Sequence, residues 1–594
     1  MPSYTVLPFH RRIAYCILGL VAGFLPLLPA GIVAAQGFLH AENGKIVDGN
    51  GQNVLLRGIG LGGWMLQEGY MLRVNGISQQ QHSIRQHIGQ LVGQEKTAAF
   101  YKTWLNNHCT KADIDALKSW GFNSVRLPMH YNLYMRPLEQ EKVKGRDSWL
   151  KEGFEMTDSL LSWCRQNSMY LILDMHATPG GQGHDLNISD ADTNEAFLWE
   201  SIENQRKLAA LWRKLAERYK NETWIGAFDI INEPNWGFAD STDRNGLKEK
   251  GNEPLRKLMV DITAAIREVD KNHLIIIEGN GWGNNYNGIL PPWDNNMALS
   301  FHKYWNFNNQ GSIQQFLDFR RNYNIPIWLG ESGENSNVWF TEAIRLMEEN
   351  NIGWCWWPLK KIGINNPLEI SSNKEYDAIL AYWRGEGSKP TAESAYAGLM
   401  KLAESTNFKN CIVHKDVVDA MIRQPIDQAA KPFSNNLVET GYVLPAVMYD
   451  LGPNGHAYSD NDTADYHISN NKRGGNSGRM FRNDGVDIQK DDSSFYVDHI
   501  EPGEWLQYSL QVQERGNYLL EFSLTATMVG STLNVSVNGN DWQVELPALP
   551  AGETATKWEI VKLPGVYLDE GHAILKIGFP NGAEKFRFTR FTKQ

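Results

Sequence analysis

Residues 224–236 read Trp224-Ile225-Gly226-Ala227-Phe228-Asp229-Ile230-Ile231-Asn232-Glu233-Pro234-Asn235-Trp236. The run 225–231 is short and mostly apolar, with charged residues upstream and a proline downstream, which is the pattern of a buried strand. It stops at Asn232-Glu233-Pro234. A carboxylate at the C-terminal tip of such a strand, beside an amide and near an indole, is poorly placed for packing and well placed for proton transfer. A strand-end glutamate capping the next helix fits these residues equally, so the rest of the chain must decide.

Working outward, strand-like apolar runs recur at 54–61, 124–127, 170–174, 225–231, 274–278, 298–301, 326–329 and 352–356. Helical periodicity falls between them at 113–120, 156–167, 205–219, 253–269, 313–322 and 340–350. Eight strands alternating with helices predict a parallel (β/α)8 TIM barrel. A doubly wound open sheet is the competing arrangement, and it requires a Gly-rich phosphate loop after its first strand. Arg57-Gly58-Ile59-Gly60-Leu61-Gly62-Gly63 is rich in glycine but lacks that spacing, and Trp64 follows where a helix should open. Upstream, residues 37–52 alternate β-like pieces with Asn-Gly turns and predict a hairpin.

Residues 359–423 read as a final helix with irregular structure, and 425–444 as a polar linker with two prolines. From 445 onward short alternating strands with frequent turns predict an all-β sandwich (jelly-roll) domain over 445–594, with strands at 504–512, 518–526, 532–537, 558–562, 573–579 and 586–592. The expected organisation is therefore a leader at 1–35, a barrel at 37–424, the linker and the sandwich.

The leader expectation rests on His10-Arg11-Arg12 followed by an uncharged run that closes on Val33-Ala34-Ala35, the layout of a secretory signal peptide. An uncleaved membrane anchor is the alternative, since the run is long enough to span. Cleavage predicts a secreted (extracellular or periplasmic) protein with no stable membrane span. Cys16 leaves with the leader, so Cys109, Cys164, Cys355 and Cys411 remain. Their wide spacing favours buried thiols at least as much as disulfides. At 594 residues the chain exceeds one core, and a net charge of −11 argues against nucleic acid as a partner. Its 21 tryptophans fit either sugar-stacking surfaces or large aromatic cores.

In a parallel barrel the functional side chains sit at the C-terminal ends of the strands. Those ends carry Arg126 and His130, Asp174-Met175-His176, Asn232-Glu233, His302-Lys303-Tyr304-Trp305, Glu331 and Trp356-Trp357. A lone His or Arg at a strand end is usually a satisfied structural group, but six such ends facing one way make separate structural explanations improbable. Glu233 and Glu331 supply the two carboxyls that cleavage of a glycosidic bond requires, one to protonate the leaving oxygen and one to attack the anomeric carbon or activate water. Arg126 and Tyr304 would keep the attacking carboxylate ionised. Glu68, Glu278 and Glu334 are competing carboxylates. A metal-dependent reading, with Asp174, His176 and Glu331 as ligands, also stands at this point.

With these motifs in view, residues 37–400 resemble glycoside hydrolase family 5. The resemblance is carried by Leu56-Arg57-Gly58, Val125-Arg126-Leu127-Pro128, Leu173-Asp174-Met175-His176, Asn232-Glu233-Pro234, His302-Lys303-Tyr304, Gly330-Glu331 and Gly353-Trp354. It implies a retaining hydrolase with Glu233 as acid/base and Glu331 as nucleophile. It further implies that Asn232 binds the sugar 2-hydroxyl, that Arg126 holds the nucleophile ionised, and that His176, His302 and Tyr304 line the subsite at the bond. Trp357 is the implied stacking platform, because alternation along the strand turns Trp356 away. No cofactor and no metal are implied. Arg57 to Trp64 and Asp174 to Gln182 are most similar to the exo-acting β-1,3-glucanases of that family. Departures at Gly183-His184-Asp185 and Ser332-Gly333-Glu334 leave linkage and exo or endo action open. A β-glucan polysaccharide is the expected partner and a monomer the expected state. Hydrolysis of β-1,4-glucan, β-1,6-glucan or β-mannan, or sugar binding by an inactive barrel, are the alternatives.

The C-terminal domain resembles carbohydrate-binding module family 6 through Tyr449-Asp450-Leu451-Gly452, Gly485-Val486-Asp487-Ile488 and Gly503-Glu504-Trp505-Leu506-Gln507-Tyr508. The resemblance implies that Phe495 and Trp558 sandwich a sugar ring, with Arg587 where an asparagine is usual. The calcium-binding positions of that family fall on Val447, Met448 and Thr589, which offer no carboxylate, so no calcium is expected.

Overall fold

The computed structural model describes residues 37–143, 145–462, 479–525, 527, 529–548 and 557–594. The expected leader at 1–35 lies outside them. Among the described residues, no helix is long and apolar enough to cross a membrane.

Eight parallel strands close into a barrel: β1 (Arg57–Gly60), β2 (Ser124–His130), β3 (Tyr170–Ala177), β4 (Ile225–Asp229), β5 (Leu274–Glu278), β6 (Met297–Lys303), β7 (Ile327–Gly333) and β8 (Gly353–Trp357). Each pairs with its neighbour in sequence, and β8 pairs with both β7 and β1. Nearly every strand residue is buried. Strands covered on both faces read as continuous apolar runs rather than alternating ones, which is why the periodicity placed all eight. The hairpin at the N-terminus forms from His40–Glu42 and Lys45–Val47.

The helices packed outside the barrel differ from expectation between β1 and β2 and after β8. Between β1 and β2 lie α1 (Gln81–Val92) and α2 (Gln94–His108) ahead of α3 (Lys111–Trp120). The connection from β5 to β6 holds only the four-residue turn Asn280–Gly283, whereas α4 (Glu152–Gln166), α5 (Ile202–Tyr219), α6 (Glu253–Arg267), α7 (Gln314–Tyr323) and α8 (Asn337–Glu349) fill the other connections. After β8, the stretch expected to hold one helix holds three: α9 (Lys374–Trp383), α10 (Ala392–Ser405) and α11 (Lys415–Ile422). Helices α1, α2, α9 and α10 share a second apolar core beside the barrel. Small residues take part of the packing face of α10. At Gly398 a Cβ would stand 2.8 Å from the backbone of Glu375 and Tyr376, so the helices approach through a glycine that gives no hydrophobic signal.

Two six-stranded sheets enclose a separate C-terminal core. One contains Asn436–Val438, Tyr458–Ser459, Glu504–Val512, Thr532–Val537, Asn540–Glu545 and Gly571–Phe579. The other contains Val443–Pro445, Ile488–Lys490, Phe495–Ile500, Gly516–Thr525, Trp558–Leu568 and Ala583–Lys593. Asn436–Val438 pairs with Glu504–Val512, so the second half of the presumed linker at 425–444 is part of the sandwich. Three residues flanked by polar turns are too short for period-2 alternation to register. Cys109, Cys164, Cys355 and Cys411 are all free thiols.

One buried cation fastens the added helices to the barrel. Lys360 Nζ lies 2.6 Å from Asp113 Oδ1 in α3 and donates to the carbonyls of His108 and Thr406 at 2.9 and 2.8 Å. Removing one partner leaves a buried charge uncompensated, at a cost of about 3–5 kcal/mol. Lys360→Met should lower the denaturation midpoint accordingly, and Lys360→Met with Asp113→Leu should recover much of the loss. Chemical denaturation of the three proteins checks this.

Candidate active site

The C-terminal ends of the strands open into a cavity of about 740 Å³ lined by Glu68, Tyr70, His176, Asp185, Asn187, Ile188, Glu233, Trp282, Asn284, His302, Lys303, Tyr304, Trp305, Asn306, Glu331, Glu334 and Trp357. Beneath it, on β2, sits the fully buried guanidinium of Arg126. It donates to Asp229 at 2.8 and 3.0 Å, to Asn232 Oδ1 at 2.8 Å, to Glu278 at 3.0 Å and to Glu331. Asp174 Oδ2 stands 3.2 Å away.

Glu331, at the end of β7, also accepts a hydrogen bond of 2.8 Å from the Tyr304 hydroxyl. Burial opposes its charge, but the nearby cations His302, Arg126 and His176 outweigh that and hold its carboxyl below the usual range. Glu233 follows β4 with a left-handed φ of 42°, a conformation that a non-glycine residue adopts only when held. The hold comes from two sides: its N–H donates to Glu278 Oε2 at 2.7 Å, and its carbonyl accepts from Asn235 Nδ2 at 2.8 Å. Burial pushes the Glu233 carboxyl up to about 7, against the opposing pull of His302.

His302 Nδ1 is 2.6 Å from Glu233 Oε1 and 3.7 Å from Glu331 Oε2, and its Nε2 is 3.2 Å from Glu278. Burial disfavours its charge, yet Glu278, Glu331 and Glu233 raise it well above the ordinary histidine range. His176 Nδ1 bonds Asp174 at 2.8 Å, and although burial opposes its charge, Asp174 and then Glu68 and Glu331 raise it to about 10. Glu68 itself is pushed up to about 8 by burial.

Oxygens of Glu233 and Glu331 and a nitrogen of His302 lie within 4.8 Å of one another, as do donor atoms of Asp174, His176 and Glu331. Either set has the chemistry to hold a cation. The guanidinium of Arg126, bonded to Glu331 and within reach of Asp174, already balances charge there.

Trp357 forms one wall. Its indole stacks on His176 with centroids 5.1 Å apart, and its Nε1 donates to the Tyr70 hydroxyl at 2.9 Å. Gly60 and Gly62 leave room for it, since a Cβ at either would come within 2.6 Å of the ring. Trp356 points away and packs against Trp339, Phe340 and Trp354.

All the residues read from the strand ends as catalytic or substrate-binding therefore meet at one place: Glu233, Glu331, Arg126, His176, Asn232, His302, Tyr304 and Trp357. His130 does not join them and bonds Asp190 at 2.8 Å. Of the competing carboxylates, Glu278 lies behind Glu233, Glu334 bonds Lys361 at 2.5 Å, and Glu68 faces the cavity. Several participants were not anticipated. Asp229 had a signal, an acid inside an apolar strand. Tyr70, Asp185 and Trp282 come from loops, where periodicity says nothing.

The sandwich treats its expected pair differently. Phe495 shares the inward face of its strand with Val497 and packs on Phe481 at 4.9 Å. Its neighbour Tyr496 turns to the other face, where it meets Trp558 at 5.4 Å. The guanidinium of Arg587 covers the Trp558 ring at 3.8 Å. Phe495 and Trp558 thus do not face each other across a shared space. Strand alternation separates them, a register that alignment of short motifs does not carry.

Residues 84–362 match the cellulase family, glycosyl hydrolase family 5, from within α1 to just beyond β8. A β-xylosidase of Phanerodontia chrysosporium is 28% identical over 382 residues, covering 57% of this chain and 74% of that protein. Endoglucanase C of Acetivibrio thermocellus is 30% identical over 207 residues, covering 34% of this chain and 53% of its own. A glucan 1,3-beta-glucosidase of Blumeria graminis is 30% identical over 223 residues, covering 36% of this chain and 49% of its own. The chain spans about half the length of the last two relatives. Residues 84–362 accordingly match a cellulase-type domain of glycosyl hydrolase family 5.

Proposed function

We propose that the protein is an exported, retaining β-glucan hydrolase, with β-1,3-linked glucan as its favoured substrate. The observation that carries this reading is the unequal protonation of two adjacent carboxyls: Glu233 raised to about 7, Glu331 held below the usual range, with oxygens within 4.8 Å. Such closeness suits a retaining pair, whose carboxyls stand about 5–5.5 Å apart, better than an inverting pair at about 6.5–9.5 Å.

In the first step a Glu331 oxygen attacks the anomeric carbon while Glu233 gives its proton to the departing glycosidic oxygen, breaking the C–O bond. In the second, Glu233 takes a proton from water, whose oxygen displaces Glu331 from the same carbon. Arg126 and Tyr304 bind both the starting and the released carboxylate of Glu331. Asn232 has its oxygen held by Arg126 while its Nδ2 has no hydrogen-bond partner among the described residues, which leaves that N–H available to the sugar 2-hydroxyl. Trp357 offers an indole face to the ring.

A β-1,3-glucan is favoured by the motif resemblance and by the glucan 1,3-beta-glucosidase among the relatives. The endoglucanase and the β-xylosidase among the relatives keep other linkages in competition, and β-1,4-glucan, β-1,6-glucan and β-mannan complete the panel. Export rests on the leader motif. The sandwich resembles a carbohydrate-binding module in sequence, and sugar binding there would use a surface other than a Phe495–Trp558 clamp.

Glu331→Gly should reduce polysaccharide hydrolysis to background, and Glu233→Gln should reduce it by about 10²- to 10⁴-fold, with aryl glycosides of good leaving groups less affected. Undiminished hydrolysis by either variant in a reducing-sugar assay contradicts the assignment.

The two carboxyls also set a pH profile. Glu233 carries its proton below about 7 and loses it above, so kcat/KM should fall about tenfold per pH unit on the alkaline side. Glu331 stays ionised until the pH drops beneath the ordinary carboxylate range, so the acid limb should lie below that range.

Proton NMR of the first-formed product should show the substrate's own anomeric configuration. Product analysis on laminarin, pustulan, a cellulose derivative and mannan assigns the linkage, glucose alone marking exo action and mixed oligosaccharides endo action.

A further inference from the structure

One residue of the sandwich reaches into the framework of the cavity. The carbonyl of Asn483 accepts the N–H of Asn337, the first residue of α8, at 2.8 Å. Its Nδ2 donates to the carbonyl of Asn335 at 2.9 Å and to Asn337 Oδ1 at 3.2 Å. Its N–H donates to Asp416 Oδ2 at 2.8 Å, and that same oxygen accepts from Asn337 Nδ2 at 2.7 Å. All four residues are buried. The opening N–H groups of a helix have no partner inside it, and here one of them is capped by a carbonyl from another domain.

Asn483 is itself fixed. Its neighbour Arg482 lies 3.7 Å over the Tyr449 ring and donates to the carbonyls of Tyr449 and Asp450 at 2.5 and 3.1 Å. On the barrel side, the turn held by Asn483 leads directly to the rim. Glu334, beside Asn335, lines the cavity with a left-handed φ of 54°. Trp339, in the first turn of α8, donates Nε1 to the carbonyl of Asn306 at 3.1 Å and accepts from Asn308 Nδ2 at 3.2 Å. Those two contacts anchor the loop that presents Trp305, which is 53% exposed at the cavity mouth.

We infer that Asn483 is a positioning residue for hydrolysis: the sandwich, through Asn483, sets the turn at 333–337 and the start of α8, and so places Glu334 and Trp305 against the parts of a polysaccharide beyond the bond being cleaved. A contact serving only to dock two domains has no need to converge on a turn that carries a cavity residue. The inference rests on the proposed hydrolysis for its kinetic consequence, but its structural half stands apart from it.

The test uses the full-length protein. Asn483→Ala should raise KM for the polysaccharide about three- to tenfold through loss of buried hydrogen bonds, with kcat on a short aryl glucoside changed less than twofold. Asn483→Asp, which sets a buried carboxylate oxygen against the Asn335 carbonyl and Asn337 Oδ1, should raise KM at least as much as Asn483→Ala. An unchanged KM in a folded variant overturns the inference, as does an equal loss on the aryl glucoside. Amide exchange of the unsubstituted protein supplies a reading that needs neither variant nor activity. The Asn337 amide should be as protected as β7, and exchange as rapid as that of exposed loops overturns the proposal. If the unsubstituted protein hydrolyses no glycan, the functional reading fails while amide exchange still decides this one.

Discussion

The buried guanidinium of Arg126 is the constraint from which the rest of the site follows. A single cation on β2 reaches Asp174 on β3, Asp229 on β4, Glu278 on β5 and Glu331 on β7. It thereby ties together the ends of five of the eight strands. A charge so placed is tolerable only when its donors are satisfied, and four carboxylates converging in one apolar barrel are tolerable only with such a charge among them. Each side makes the other affordable.

One guanidinium cannot balance that many acids, and the remainder is settled by protonation. His176 and His302 are driven cationic by the acids around them. Glu278, with His302, Arg126 and the Glu233 amide overcoming its burial, is lowered to about 2. Burial leaves Asp229 and Asp174 raised, along with Glu68 and Glu233. Glu331 and Glu233 are thus shifted in opposite directions while lying close together. Glu278 contributes twice, as the anion that holds His302 cationic and as the acceptor that secures the left-handed backbone of Glu233.

How much of this was legible in the sequence follows from where the information resides. Buried strands announce themselves as unbroken apolar runs, so the barrel and its strand-end residues were readable, and Trp357 was distinguished from Trp356 by alternation alone. Asp229 is equally visible as an acid within β4, but its pairing with Arg126 is a contact between strands that local sequence does not encode. Helix α10 gives a weaker signal, because Gly398 and alanines share its packing face with Leu399 and Leu402. The Phe495–Trp558 pairing failed for a related reason: which face a residue takes depends on register across the sheet, which short motifs do not encode.

The rim shows why a reaction class can be read more readily than a substrate. Three residues lining the cavity hold left-handed backbones without being glycine: Glu233, Trp282 and Glu334, with φ of 42°, 58° and 54°. Each must be held by partners distant in sequence. Glu233 depends on Glu278. Trp282 donates its N–H to the Pro234 carbonyl at 3.1 Å and its Nε1 to Asp185 at 3.2 Å. Glu334 depends on Lys361 and on a neighbouring turn fastened from the sandwich. The floor of the cavity is built from strand ends whose periodicity declares them. The rim is shaped by strained residues and their remote supports, where local sequence has least to say.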